Sequence, residues 1–193
     1  MQGAGYGIQG VRFLTVFQDT KYHKVNILVI LPNNTVININ FTIKMATETE
    51  RKFLVIGEFK HLSIKKIEIT QYYLSIDPDK TIRLRIAGKK AFLTIKGRAG
   101  EGSISRSEWE FQIPVTDAKK IINICLPGKI VKTRYLIPST KYTFEVDVFH
   151  DKNEGLVIAE IELGSEDEEF NKPDWLGSEV TGFPGYYNAN LLK

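Results

Sequence analysis

A mainly β domain is the fold class this sequence predicts, on three observations. Apolar and polar side chains alternate through seven or eight short segments, which is the period of an extended strand. Turn signals separate those segments, among them Asp77-Pro78-Asp79, Ala87-Gly88-Lys89-Lys90, the Gly-rich stretch Ala99 to Gly102, and Asp151 to Gly155. Val115 to Leu126 carries the best helical spacing in the chain, with Val115, Ala118, Ile121, Ile122 and Cys125 on one face, Thr116 or Asp117 as a cap, and Pro127-Gly128 as a stop.

The chain has 193 residues, 42% hydrophobic and 25% charged, which suits one globular domain with an appendage. Residues 1–44 carry four basic residues and one acid, against 22 of each in the remainder, so the whole net charge of +3 sits there. They are rich in asparagine, and Ile37, Ile39 and Phe41 alternate with Asn38, Asn40 and Thr42. Met45 then opens Met45-Ala46-Thr47-Glu48. The expectation is an N-terminal extension over 1–44, outside the fold or translated from an upstream start, and a functional domain over 45–193; a docking segment is the competing reading.

From Met45 the strands follow in order. Thr47 to Ile56 sets Glu48, Glu50 and Lys52 on one face, since successive side chains of a strand point to opposite sides. Ile64 to Leu74 ends in Gln71-Tyr72-Tyr73-Leu74. Thr81 to Ile86 sets Arg83 and Arg85 against Ile82, Leu84 and Ile86, and Ala91 to Arg98 sets Lys96 against Leu93 and Ile95. Ser107 to Pro114 sets Glu108 and Glu110 against Trp109 and Phe111. After the helix, Ile130 to Ile137 sets Lys132 and Arg134 against Val131 and Thr133, and Tyr142 to Phe149 sets Glu145 and Asp147 against Phe144 and Val146. Leu156 to Leu163 closes the series with Glu160 and Glu162 opposite Ala159 and Ile161.

Like charges two apart on one strand repel, yet they recur here strand by strand. Carboxylate pairs suit a hard divalent metal, and clustered Lys and Arg suit phosphate. Two geometries remain open: a sheet with its charged face in water, or a sheet closed with its charged faces around an aqueous tunnel. In the closed form the helix and the C-terminal tail are the available cover for the apolar outside. Closure in chain order would also make the first and last charged strands neighbours.

Other classes find little support. The mild net charge does not argue for nucleic acid. The one cysteine, Cys125, reads as a core thiol and excludes an internal disulfide, which fits a reducing compartment. His23, His61 and His150 lie far apart in sequence and suggest no zinc site. The apolar run Ile27 to Leu31 is too short to span a membrane, and no signal-peptide pattern follows it.

Nine segments then carry a family resemblance. They are Glu48-Thr49-Glu50-Arg51-Lys52-Phe53-Leu54-Val55, Gln71-Tyr72-Tyr73-Leu74, Arg83-Leu84-Arg85, Leu93-Thr94-Ile95-Lys96-Gly97, Glu108-Trp109-Glu110, Lys132-Thr133-Arg134-Tyr135, Val146-Asp147-Val148-Phe149, Ala159-Glu160-Ile161-Glu162-Leu163, and Trp175-Leu176-Gly177 with Glu179-Val180-Thr181. In this order, over almost all the chain after Met45, they resemble the CYTH, or triphosphate tunnel metalloenzyme, family.

The resemblance implies an eight-stranded antiparallel β-barrel with a few covering helices, whose tunnel binds a triphosphate with Mg²⁺ or Mn²⁺. It implies Glu48, Glu50, Glu160 and Glu162 as metal ligands, with Glu108, Glu110 and Asp147 as lesser candidates. Lys52, Arg83, Arg85, Lys96, Lys132 and Arg134 would hold phosphate oxygens, and Tyr73 or Lys52 would transfer a proton. The expected activity is metal-dependent hydrolysis of a triphosphate, first of all inorganic tripolyphosphate. An adenylate cyclase of class IV type would need an adenine site, which no residue here specifies. A non-catalytic module binding polyphosphate or nucleotide would lack the acids, and they are present. The expected partner is a small-molecule triphosphate, with no nucleic acid and no membrane, in the cytoplasm; a homodimer stays open. Two departures stand out: Tyr72 where many relatives have Gly, and Gly182 to Tyr187 where many carry an acid and a base.

Overall fold

The computed structural model describes residues 12–18, 23–30, 36–77, 79–100 and 103–192, with side chains from Thr47 onward. Pro78 of the predicted turn and Glu101 and Gly102 of the Gly-rich loop lie outside the described residues, as do the parts of 1–44 not named below. The chain divides into two compact units, Met1–Met45 and Ala46–Lys193. In the first, β1 (Arg12–Gln18) pairs antiparallel with β2 (His23–Ile30), and β2 pairs with the opening residues Val36 to Ile43 of β3 (Val36–Val55). The Ile/Asn alternation there is a strand.

The second unit holds the rest of β3, then β4 (Lys65–Asp77), β5 (Lys80–Ala87), β6 (Lys90–Gly97), β7 (Ser105–Ile113), β8 (Ile130–Ser139), β9 (Tyr142–Phe149), β10 (Val157–Glu162) and β11 (Leu176–Glu179). The pairing runs β3-β10-β9-β8-β4-β5-β6-β7 and returns from β7 to β3, which closes an eight-stranded antiparallel barrel; β11 adds to β3. The closed form is therefore the correct one of the two geometries. The strands do not close in chain order. The β7-to-β8 connection carries the helix, and β8 lies against β4 rather than β7. The expected neighbours, β3 and β10, are adjacent all the same.

The apolar faces point outward and are covered. Phe53, Phe144, Val146, Ala159 and Ile161 are buried under Trp175, Leu176 and Phe170 of the C-terminal segment, with Phe144 edge-on to Trp175 at 5.2 Å between ring centroids. Leu84 and Ala91 are buried under Ala118 of α1 (Val115–Ile121), with Tyr72, Ile113, Ile121 and Cys125 around them. Tyr72, the departure from the family pattern, therefore adds to this outer packing.

The helix is shorter than its spacing predicts. α1 stops at Ile121, and Ile122–Ile124 tighten into a 3₁₀ turn, where β-branched residues and Asn123 are poor helix formers. Neither Thr116 nor Asp117 caps it: Pro114 is the N-cap, and its carbonyl accepts from the N–H of Asp117 and Ala118 at 3.1 and 3.0 Å. Cys125 is half-buried at the edge of the cluster rather than in the core. Among the described residues no helix is long and apolar enough to cross a membrane.

Candidate active site

Register alone puts the charged side chains on one face. Residues paired across a ladder share a side of the sheet. Lys52 pairs with Glu160 and Glu50 with Glu162 between β3 and β10. Glu160 pairs with Glu145 on β9, and Arg134 of β8 with Asp147 of β9. Arg83 pairs with Thr94, Thr94 with Glu110, and Lys96 with Glu108. Leu84 and Ile161, the alternating neighbours of Arg83 and Glu160, are buried in the outer clusters. The polar partners accordingly face the barrel interior, where Lys132 and Asp147 are fully buried.

Two charge networks fill that interior. In the first, the Lys52 ammonium bridges Glu50 and Glu160. Arg134 meets four carboxylate oxygens: its Nε donates to Asp147 Oδ1 at 2.7 Å, its Nη2 to Asp147 Oδ2 at 2.6 Å and Glu160 Oε2 at 2.7 Å, and its Nη1 pairs with Glu145. Lys132 pairs with Asp147 over the ring of Phe149. In the second, Lys96 Nζ lies 2.7 Å from both Glu48 and Glu108, and Arg106 Nε donates to Glu48 at 3.1 Å. Arg85 Nη2 donates to Glu110 at 2.7 Å, and Arg83 Nη2 to Thr94 at 3.3 Å.

The shared burial splits the acids electrostatically. Burial opposes charge on Glu160, but Lys52 and Arg134 overcome it and hold its pKa well below the usual carboxylate range. Glu48 is held low in the same way by Lys96 and Arg106, and Asp147 by Arg134 and Lys132. Glu50 goes the other way: burial and the adjacent Glu160 carboxylate push it up to about 7 despite Lys52. Among the cations, burial opposes the charge on Lys52, but Glu160 and Glu50 raise its pKa; burial brings Lys132 down to about 8 even beside Asp147. Burial drives the Tyr73 phenol up to about 12. Tyr73 thus stays protonated at neutral pH, which suits a donor and not a base.

One end of the interior is apolar. Tyr73, Ile130, Phe149 and Ile158 form a buried layer capped by Leu192, with Tyr186, Ala189 and Leu191 around it. Asn153 Nδ2 donates to the Leu191 carbonyl at 3.0 Å and ties this stopper to the β9–β10 connection. The C-terminal end, beyond most of the stretch that departs from the family pattern, thus contributes an apolar plug. Charge reaches solvent elsewhere: Glu162 is exposed, and the Glu145 side chain is 43% exposed.

Two interior residues, Arg106 and Glu145, are absent from the set expected from sequence. Both obey the period of two: Arg106 precedes Glu108 by two positions and Glu145 precedes Asp147 by two. A strand start at Ser107 hides Arg106; the ladder begins at Ser105.

The donors fit a divalent cation. They are carboxylate oxygens, the hard ligands that Mg²⁺ and Mn²⁺ prefer. The Lys52 ammonium stands where a cation between Glu50 and Glu160 would, and Glu50 remains short of positive charge even with it there. Among the described residues no three acidic, His or Cys side chains already stand as a ligand cage.

A closed barrel lined by buried cations around a cluster of acids defines a tunnel for a small polyanion. The chain belongs to the CYTH domain family, whose model matches residues 46–187. It is 45% identical over 150 residues to an inorganic triphosphatase of Acetivibrio thermocellus, covering 77% of this chain and 95% of the relative. It is 37% identical over 150 residues to an inorganic triphosphatase of Nitrosomonas europaea, covering 75% and 96%. A crystal structure of an inorganic triphosphatase superposes with a TM-score of 0.54 at 34% identity, covering 77% of this chain and 95% of that one.

Proposed function

We propose that this protein is a metal-dependent triphosphatase acting on inorganic tripolyphosphate. The observation that carries the reading is the interior itself, where Lys52, Arg83, Lys96, Lys132 and Arg134 are buried, and Arg85 and Arg106 half-buried, among acids of which Glu50 stays short of positive charge. Two relatives of 45% and 37% identity named inorganic triphosphatase support it.

Phosphoryl transfer asks for positioning and charge neutralisation more than for covalent help. Arg83, Arg85, Lys96, Arg106 and Lys132 hold phosphoryl oxygens, the arginines by paired N–H groups and the lysines as point charges. Glu48, Glu50, Glu160 and Glu162 hold Mg²⁺ or Mn²⁺, with Glu108, Glu110 and Asp147 supporting them. The metal supplies charge neutralisation and Lewis-acid polarisation of the phosphoryl group. Tyr73, neutral and buried, donates a hydrogen bond or proton. Lys52, held charged between two acids, orients them instead of moving a proton. We place the enzyme in the cytoplasm on its single cysteine.

The test is a panel of tripolyphosphate, ATP, thiamine triphosphate and pyrophosphate, each with Mg²⁺ or Mn²⁺ and with products identified. Orthophosphate and pyrophosphate from tripolyphosphate, at a kcat/KM above that for the other substrates, are expected. Cyclic AMP from ATP, or no turnover of tripolyphosphate, would overturn the reading.

A further inference from the structure

Gln71 is fully buried, and neither Nε2 nor Oε1 of its carboxamide has a hydrogen-bond partner among the described residues. Burying such a group unpaired costs stability, so a native protein that keeps one calls for an explanation. The position of Gln71 supplies it. Ile69, Gln71 and Tyr73 are the buried alternates of β4. Gln71 stands directly opposite Arg85 on β5, and directly opposite Ile130 on β8. It therefore faces the barrel interior. Two further buried donors nearby are also unpartnered, the Nε–H groups of Arg83 and Arg85.

The charge in the barrel is already paired. Lys52, Lys96, Arg106, Lys132 and Arg134 each pair with at least one acid, as Arg83 and Arg85 do with Glu110 through Nη2, and a phosphate binding those groups must compete with that acid. At Gln71, Arg83 Nε and Arg85 Nε no internal bond has to break. β4 also lies four strands from β3 whichever way the barrel is followed. Gln71 thus occupies the wall opposite Glu48 and Glu50.

Resting on the triphosphatase reading, we propose that Gln71 is a substrate-contact residue. Its carboxamide N–H donates to a phosphoryl oxygen at the end of the triphosphate remote from Glu48 and Glu50, beside the Nε–H groups of Arg83 and Arg85. Its carbonyl oxygen, which has no use for an anion, accepts from a water carried in with the hydrated ligand. The contact recognises a terminal phosphoryl group by neutral hydrogen bonding among charged neighbours.

Two variants of the full-length chain test this. Gln71→Met keeps the length and removes both polar atoms; Gln71→Glu keeps the shape and replaces the donor with a carboxylate. Tripolyphosphate binding is measured by calorimetry in EDTA, melting temperature without ligand, and kcat and KM with Mg²⁺. Gln71→Met is expected to melt at the same or a higher temperature yet bind tripolyphosphate about tenfold more weakly, the worth of one neutral hydrogen bond. The loss should fall on KM. Gln71→Glu is expected to bind more weakly still, through repulsion of the anion. A Gln71→Met protein that binds like the unsubstituted chain overturns the inference, and if that variant does not fold, unchanged binding by Gln71→Glu does the same. Unsubstituted protein that neither binds nor hydrolyses tripolyphosphate overturns the triphosphatase reading itself; turnover by it with indifferent Gln71 variants overturns this inference alone.

Discussion

Glu50 of β3 and Glu162 of β10 stand directly opposite one another across an antiparallel ladder. Facing like charges destabilise a strand pair unless a cation lies between them. Glu50→Gln and Glu162→Gln keep shape and hydrogen bonding but remove charge. Each is expected to lower activity by about 100-fold or more, and the double variant by little beyond the worse single one, because groups that share one task are non-additive. The check is a Mg²⁺ titration at saturating tripolyphosphate. Near-normal turnover in either single variant, or losses that multiply in the double, would mean that the two acids do not share a metal.

Stability should report Glu50 separately from activity. Its folded pKa of about 7 exceeds the ordinary value of 4.5, because burial and Glu160 disfavour its charge. The folded state then binds the extra proton between those values, so the contribution of Glu50 is fully present below 4.5 and is lost as pH rises through 7. In EDTA, Glu50→Gln is therefore expected to melt above the unsubstituted protein at pH 8 and level with it at pH 4.5. Equal melting temperatures at pH 8 would refute the buried repulsion.

Lys132 differs from the acids. It is fully buried against Asp147, but Asp147 keeps two bonds from Arg134 when Lys132 is gone. Lys132→Met should therefore fold, leave the Mg²⁺ midpoint unchanged and raise KM for tripolyphosphate by about 10- to 100-fold, the worth of a charge-assisted contact. A shifted metal midpoint with unchanged KM would assign Lys132 to the metal side instead.

The interior is legible in sequence wherever a strand keeps a strict period of two. Glu48, Glu50 and Lys52, or Glu160 and Glu162, need only their own spacing to share a face. Which acid meets which cation is not local. Arg134 reaches Glu160 two strands away because β8, β9 and β10 are consecutive in the barrel, and β8 lies against β4 because the helical connection carries the chain over the outer face. Gln71 is visible as part of a motif, but its burial depends on its register with Arg85 and Ile130. Arg106 is lost at a strand boundary that long-range pairing sets, since Ser105 bonds Thr49 at 2.8 Å.

The N-terminal unit can be tested by truncation. The family match starts at residue 46, and the first side chain of the described interior network is Glu48. We propose that a chain starting at Met45 folds and keeps kcat/KM for tripolyphosphate unchanged. Circular dichroism and the tripolyphosphate assay check it. Loss of folding or of most activity would make residues 1–44 part of the working domain.

The C-terminal plug makes the last prediction. Leu192 is 8% exposed and packs on the layer of Tyr73, Ile130, Phe149 and Ile158 that ends the barrel interior. Gly128 is fitted to it: its φ is +99°, and a Cβ there would come 2.6 Å from the Leu192 carbonyl oxygen. Both features tie the chain end to the closed end of the tunnel. Leu192→Ala should cost about 2–3 kcal/mol, the lower range for a leucine at the margin of a core. Gly128→Ala should also destabilise, through strain at a left-handed backbone position and the push on Leu192. Ile124→Ala, at a side chain 72% exposed, is the control and should stay within about 0.5 kcal/mol. Urea unfolding of the three variants measures this. If the Leu192 and Gly128 variants unfold with the control, the tail does not seal the barrel. If they unfold early and also lose turnover at temperatures where they remain folded, the plug holds Tyr73 in place as well as keeping water out.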